Sequence, residues 1–99
     1  MKTYTGTRTI DGLVVMVDGV TLPDHRAIKQ YTDTGFEWGY PGDSPRQLAL
    51  AILFDHLGVA SEAIAAVETF MKKVVAVLDN DWVLTSEQID KQLKSQNGT

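Results

Sequence analysis

Leu13-Val14-Val15-Met16-Val17-Asp18-Gly19-Val20-Thr21-Leu22-Pro23 sets the architecture of this chain. Asp18-Gly19 separates two short runs of β-branched and apolar residues. An Asp-Gly pair between such runs is a strong hairpin signal, because the tight turn needs positive φ, which Asp tolerates and Gly adopts freely. Pro23 cannot donate to a strand ladder and ends the second run. Leu13 to Val17 is apolar at every position instead of alternating, so it is expected to lie centrally with both faces covered.

Working towards the N-terminus, Tyr4 to Ile10 is a third run, separated from Leu13 by Asp11-Gly12. The three runs predict an antiparallel meander. Working forwards, Asp24 to Thr34 is polar, has no sustained period and reads as a loop. Gly35-Phe36-Glu37-Trp38-Gly39-Tyr40 alternates aromatics with Gly or Glu, which predicts a short fourth strand with its three aromatics on one side.

Ser44-Pro45 predicts the start of a helix and Gly58 its end, since serine can cap free N–H groups and proline at the first helical position loses no donor. Leu48, Leu50, Ile52, Leu53, Phe54 and Leu57 leave this helix little polar face, so it is expected at the centre of the core. Ser61 is a second candidate cap. After it Ile64, Val67, Met71, Val74 and Leu78 follow helical spacing, although Val74 to Leu78 also has the β-branched content of a strand. Asp79-Asn80-Asp81 breaks that helix, and Trp82-Val83-Leu84 is short and apolar. Thr85 with Gln88 forms a capping-box pattern for a last helix from Ser86 to about Lys94, ahead of a fraying tail at residues 95–99. The expectation is one α+β domain over residues 1–99: a small antiparallel meander and a short fourth strand, packed on a buried central helix, with two further helices.

Composition narrows the function. The 99 residues are 43% hydrophobic and 22% charged, the balance of a globular domain. Cysteine is absent, which removes disulfides, thiolate nucleophiles and cysteine-built metal sites. The net charge of −4 is spread over both halves, and Lys72-Lys73 is the only adjacent basic pair, so general nucleic-acid binding is not expected. The N-terminal residues lack the apolar core of a signal peptide and no apolar run approaches a bilayer span, so no membrane association is expected and the cytoplasm is the expected compartment. His25 and His56 are the only histidines and lack paired metal-ligand spacing, so neither metal nor cofactor is expected.

Three segments together resemble a small family of bacterial, archaeal and phage proteins catalogued as domain of unknown function 6166. They are the meander ending Val17 to Pro23, the segment Trp82 to Ile89, and Gly35-Phe36-Glu37-Trp38-Gly39-Tyr40 with Gly42, Pro45 and the run Gln47 to Leu53. The resemblance spans Leu13 to Leu93 and names no activity. The family usually reads Gly-Gly-Ser-Gly-Pro where this chain has Pro41-Gly42-Asp43-Ser44-Pro45. Occurrence of similar proteins on phages and mobile elements implies a counter-defence or host-modulating role.

Among the residues themselves, the 35–44 segment stands out. Free N–H groups at the helix start can hold an anion, but the Walker lysine is missing and Asp43 places a negative charge there, so capping by Ser44 or Asp43 explains the same residues. Phe36 and Trp38 read as core more readily than as a stacking platform, and Tyr40, in a turn, is expected to face outward. Glu37 is expected on the opposite face, solvated. Asp55 and His56 point about 100° apart on a helix, which disfavours a relay between them, and His56 complements the helix dipole. No recognisable base and nucleophile pair is present, so no catalytic residue is assigned. The leading expectation is a non-enzymatic protein-binding module that contacts a protein partner, such as a host protein, through Glu37, Trp38, Tyr40, Asp43 and Ser44. The alternatives are a nucleotide-like ligand site or hydrolase walled by the same five residues, and a self-associating subunit.

Overall fold

The computed structural model describes residues 2–96. Four antiparallel strands, β1 (Thr3–Thr9), β2 (Gly12–Val17), β3 (Val20–Thr21) and β4 (Asp81–Thr85), form one sheet in the order β3-β2-β1-β4. Three helices, α1 (Asp43–Leu57), α2 (Ala60–Lys73) and α3 (Ser86–Gln96), complete an α+β domain. Strand β1 pairs on both sides, from Tyr4↔Val17 to Thr9↔Gly12 with β2 and from Thr3↔Thr85 to Thr7↔Asp81 with β4.

The two turns of the meander are built differently. At the second, Asp18 (φ 49°) and Gly19 (φ 81°) are both left-handed between Val17 and Val20, as a two-residue hairpin of this twist requires. At the first, Thr9 faces Gly12, so the turn residues are Ile10 and Asp11 and only Gly12 has positive φ.

Helices cover one face of the sheet. Tyr4, Val15, Trp82 and Leu84 are buried on that face, while Val14 and Val83 lie on the other and are exposed. The expectation that Leu13 to Val17 would be covered on both faces is therefore corrected: β2 is an inner strand of a single-layered sheet, and its continuous apolar run reflects β-propensity as well as burial. Gly6, in the middle of β1, faces Trp82 of β4. A Cβ at Gly6 would overlap the Trp82 indole, so the glycine makes room for the ring.

Helix α1 is the centre of the core, with every residue from Gln47 to Leu53 buried. Gly58 ends it in the left-handed conformation (φ 74°), its N–H bonded to the Phe54 carbonyl at 2.8 Å. At the other end Gly42 occupies the cap position, with no side chain bonded to the free N–H groups. Ser44 is inside the helix and not its cap. Ser61 is likewise inside α2, which starts after Val59. Helix α2 buries Ala63, Val67, Phe70 and Met71 and stops at Lys73, short of the expected Leu78. A 3₁₀ turn, Val75–Val77, follows, in which Val75 is buried and Val77 is exposed.

The fourth strand is β4, not residues 35–40, which form no ladder. Trp82 and Leu84 alternate with exposed Asp81 and Val83, the period of a strand with one buried face. The capping box after it forms as its spacing predicts: the Thr85 N–H donates to Gln88 Oε1 at 2.9 Å and the Gln88 N–H to Thr85 Oγ1 at 3.2 Å. Ser95 and Gln96 continue α3, and the rest of the expected frayed tail, residues 97–99, lies outside the described residues. None of the helices is long and apolar enough to cross a membrane among the described residues.

Candidate functional site

Between β3 and α1 the chain runs through residues 22–42 without a helix or ladder. Segments of this length with no secondary structure are uncommon in small domains and usually carry function. Side chains reaching in from regular elements hold this one.

Gln47 of α1 is completely buried. Its Oε1 accepts the Tyr31 N–H at 2.7 Å, and its Nε2 donates to the carbonyls of Asp24 at 2.8 Å and Lys29 at 3.1 Å. One amide thus satisfies three backbone groups that would otherwise be orphaned at the core surface. Ser44, one residue inside α1, exchanges hydroxyl bonds of 3.1 Å with both Thr32 and Thr34.

Further along, Trp38 is completely buried against the 3₁₀ turn and β4. Its indole N–H donates to the Asp79 carbonyl at 2.7 Å, and its ring meets that of Trp82 edge-on, with centroids 5.6 Å apart. Arg8 of β1 stacks over the same indole, its guanidinium carbon 4.8 Å from the ring centroid, a cation–π contact. The same guanidinium donates to the Trp38 carbonyl at 2.8 Å and pairs with Glu37 at 2.8 Å. Glu37 also accepts the Trp38 N–H at 3.0 Å. Glu37 is therefore a half-buried member of an ion pair, not the solvated residue expected from strand alternation. Next, the Gly39 N–H bonds the Val75 carbonyl at 3.0 Å. Gly39 has φ 89°, a left-handed conformation that a residue with a Cβ adopts only with strain.

Tyr40 emerges from this anchored stretch and is 47% exposed. It borders a cleft of about 610 Å³ lined by Arg8, Trp38, Gly39 and residues 78–81, which include the exposed Asp79 and Asp81. The five residues expected to act together do not share one pocket. Trp38 and Tyr40 line this cleft, Glu37 and Ser44 line a second with Leu13 and Phe36, and Asp43 lines a third with residues 30–33. Of the five, Tyr40 and Asp43 project outward. Asp43 is bonded to Arg46 at 2.9 Å, and the Arg46 fork holds Glu68 of α2 at 2.7 and 3.0 Å. Hydrogen bonds from Arg46 are the main reason that the Glu68 carboxyl titrates at about 2, against an ordinary 4.5.

The sequence reading missed two members of this arrangement. Arg8 shares the parity of Tyr4 and Gly6, so it points to the helical face of the sheet, and a charge there needs a partner. Gln47 is the polar residue at the head of the apolar helical run from Leu48 to Phe54.

The two histidines stand apart from the clefts. His56 Nε2 lies 2.6 Å from Asp90 of α3, while neighbouring Asp55 accepts the Tyr4 hydroxyl at 2.7 Å and pairs with Lys2 at 3.0 Å. The two side chains diverge, as adjacent helical positions do. Burial, reinforced by the Asp55 carboxylate, pushes the Tyr4 hydroxyl well above the ordinary tyrosine value. Among the described residues no group of three His, Cys, Asp or Glu side chains could hold a metal ion.

Residues 4–95 match the sequence profile of a family of unknown function, DUF6166. The chain belongs to that family. The match takes in all of the strands and helices but the first residue of β1 and the last of α3, and the whole 22–42 segment. No curated protein and no solved structure matches the chain.

Proposed function

We propose that this DUF6166 protein is a protein-binding module whose contact surface is the Tyr40 cleft. The observation that carries this reading is a half-exposed tyrosine on a segment immobilised from below by Trp38, Gly39 and Arg8. Pre-organisation lowers the entropy lost on binding, and tyrosine supplies a large contact area with few rotatable bonds. Asp79 and Asp81 on the cleft rim favour a partner that presents basic side chains. Arg8 and Glu37 neutralise each other, and the carboxylates left at the cleft, Asp79 and Asp81, are exposed and face no nucleophile partner, which favours binding over catalysis. A cytoplasmic mobile-element or phage protein that occupies a host protein is the wider role we attach to this surface, on the strength of the family resemblance.

The test is Tyr40→Ala combined with Asp79→Lys. Both side chains are outside the core, so the thermal midpoint should stay nearly unchanged, while capture of the partner from lysate should weaken by about thirtyfold, as a central tyrosine hot spot implies. A double variant that unfolds would assign Tyr40 a structural role. One that folds, keeps its partner and loses a bound small molecule would favour a ligand site at the same cleft.

A further inference from the structure

The two edges of the sheet are finished differently. At one edge β3 is two residues long and is followed closely by Pro23, both devices that blunt an edge against further pairing. At the other edge lies β4, five residues with no Lys, Pro or Gly. The Ser86 N–H bonds the Lys2 carbonyl of the segment leading into β1. In an antiparallel ladder this turns the backbone groups of residues 82 and 84 towards β1 and those of Val83 away from it. Val83 has no hydrogen-bond partner beyond β1 among the described residues. The edge is closed only at its end, where Gln88 takes the Thr85 N–H. Exposure agrees: in the row Met16–Thr5–Val83 across the outer face, Met16 and Thr5 are half-buried and Val83 is 63% exposed.

We propose that β4 is a self-association edge, on which a second copy of this chain adds its own β4 antiparallel, about a two-fold axis at Val83. The register follows from the symmetry: Val83 faces Val83 of the second copy, Trp82 faces Leu84, and Asp81 faces Thr85. Val83 exchanges N–H and C=O bonds with its counterpart, and the Asp81 N–H reaches the Thr85 carbonyl, the one Thr85 backbone group that Gln88 leaves open. The side chains are electrostatically self-complementary. Thr85 Oγ1 already accepts from the Gln88 N–H, so its hydroxyl proton is free for the Asp81 carboxylate of the second copy. Antiparallel addition also separates the two Asp81 carboxylates by about four residues, roughly 13 Å and beyond the physiological screening length. Parallel addition would set them face to face. On the outer face that becomes continuous, with Thr5, Thr7, Val14, Met16 and Val83, Asp81 is the charged strand residue, and the antiparallel register keeps its two copies apart. A pairing confined to five residues is smaller than a standard interface and implies a dimer in the micromolar range or weaker.

Sedimentation equilibrium of the full chain from about 10 μM to about 1 mM tests this. The expected result is a monomer–dimer equilibrium for the unmodified chain, monomers for Val83→Arg and for Val83→Glu, and recovery of the dimer in their equimolar mixture, where opposite charges meet. Val83 is exposed, so both variants should keep the thermal midpoint, and Tyr40→Ala should dimerise normally because Tyr40 is no part of β4, although Asp81 borders both surfaces. A chain that stays monomeric throughout overturns the proposal, as does a dimer that both charge variants leave intact. Failure of the mixture to recover overturns the Val83-centred register. Protection of the Val83 amide only on adding a different protein would transfer the edge to that partner.

Discussion

The β1–β2 hairpin with α1 and the segment at residues 22–42 occupy the same small domain but are held by different means. The hairpin is a backbone ladder from Tyr4↔Val17 to Thr9↔Gly12, backed by a helix buried from Gln47 to Leu53. Residues 22–42 join the rest of the backbone through few main-chain bonds, among them Leu22 to Val15 and Gly39 to Val75. Gln47, Arg8, Trp38 and Ser44 do the remainder with side chains. A ladder distributes its stability over many equivalent bonds, whereas a side-chain clamp concentrates it in a few residues. The second kind of region is therefore expected to open more readily than the first, and the surface proposed for binding sits on it.

The largest expected effect breaks both regions at once. Val15 is 5% exposed on the helical face of β2, and Val15→Asp buries a carboxylate without a partner at a cost of several kcal/mol, comparable to the whole stability of a domain of this size. The variant should show no cooperative melt by circular dichroism. A soluble, cooperatively melting Val15→Asp protein would show that the core does not depend on this strand.

A smaller effect should separate the regions. Gln47→Leu keeps the volume but removes the partner of the Tyr31 N–H and of the Asp24 and Lys29 carbonyls. Lys29 is exposed and Asp24 and Tyr31 are half-buried, so water can replace part of what is lost and the cost should be about 1–3 kcal/mol in total. The protein should still fold with a lowered midpoint, and hydrogen exchange at Tyr31 should accelerate far more than exchange in β1 and β2. A uniform acceleration would mean that the two regions open as one unit.

The smallest effect concerns the junction where the segment rejoins α1. Glu68 titrates at about 2 because Arg46 bonds it. Its folded value is depressed, so the contribution is complete above the ordinary value of 4.5 and is lost as pH falls from there through about 2. In Arg46→Gln, carboxyl NMR should place Glu68 back near its ordinary value, and the stability difference from the unmodified chain should be slight at neutral pH, vanish in acid and shrink with salt, as surface pairs do. An unshifted Glu68 in that variant would assign its acidity to Lys72, 3.4 Å away.

Sequence reasoning followed whatever was encoded over short distances. Asp18-Gly19 specified its turn through the φ preferences of two residues. The apolar run from Leu48 placed α1 at the centre, Gly58 ended it, and Thr85 with Gln88 announced α3. Residues 35–40 misled because an alternating aromatic pattern suggests a strand with its aromatics on one side, while sequence spacing alone does not say whether the backbone finds a neighbouring strand to hold that parity. Trp38 does turn inward and Tyr40 outward, but the backbone between them bonds Val75 and Arg8 instead of a neighbouring strand. For the same reason the five expected site residues were identified as a segment and not as a geometry.

What the sequence determined by itself is thus the set of local elements: the hairpin, the central helix, the capped last helix and an outward Tyr40. Tertiary structure alone decided which strand completes the sheet, where α2 stops, and which charges meet. Trp82 joins β1 because Gly6 leaves space for its indole, and Glu37 is drawn out of solvent because Arg8 reaches it across Trp38. Turn and cap preferences act between residues a few positions apart and are visible in the chain. Complementarity of volume, charge and hydrogen bonding between distant residues exists only once folding has brought them together.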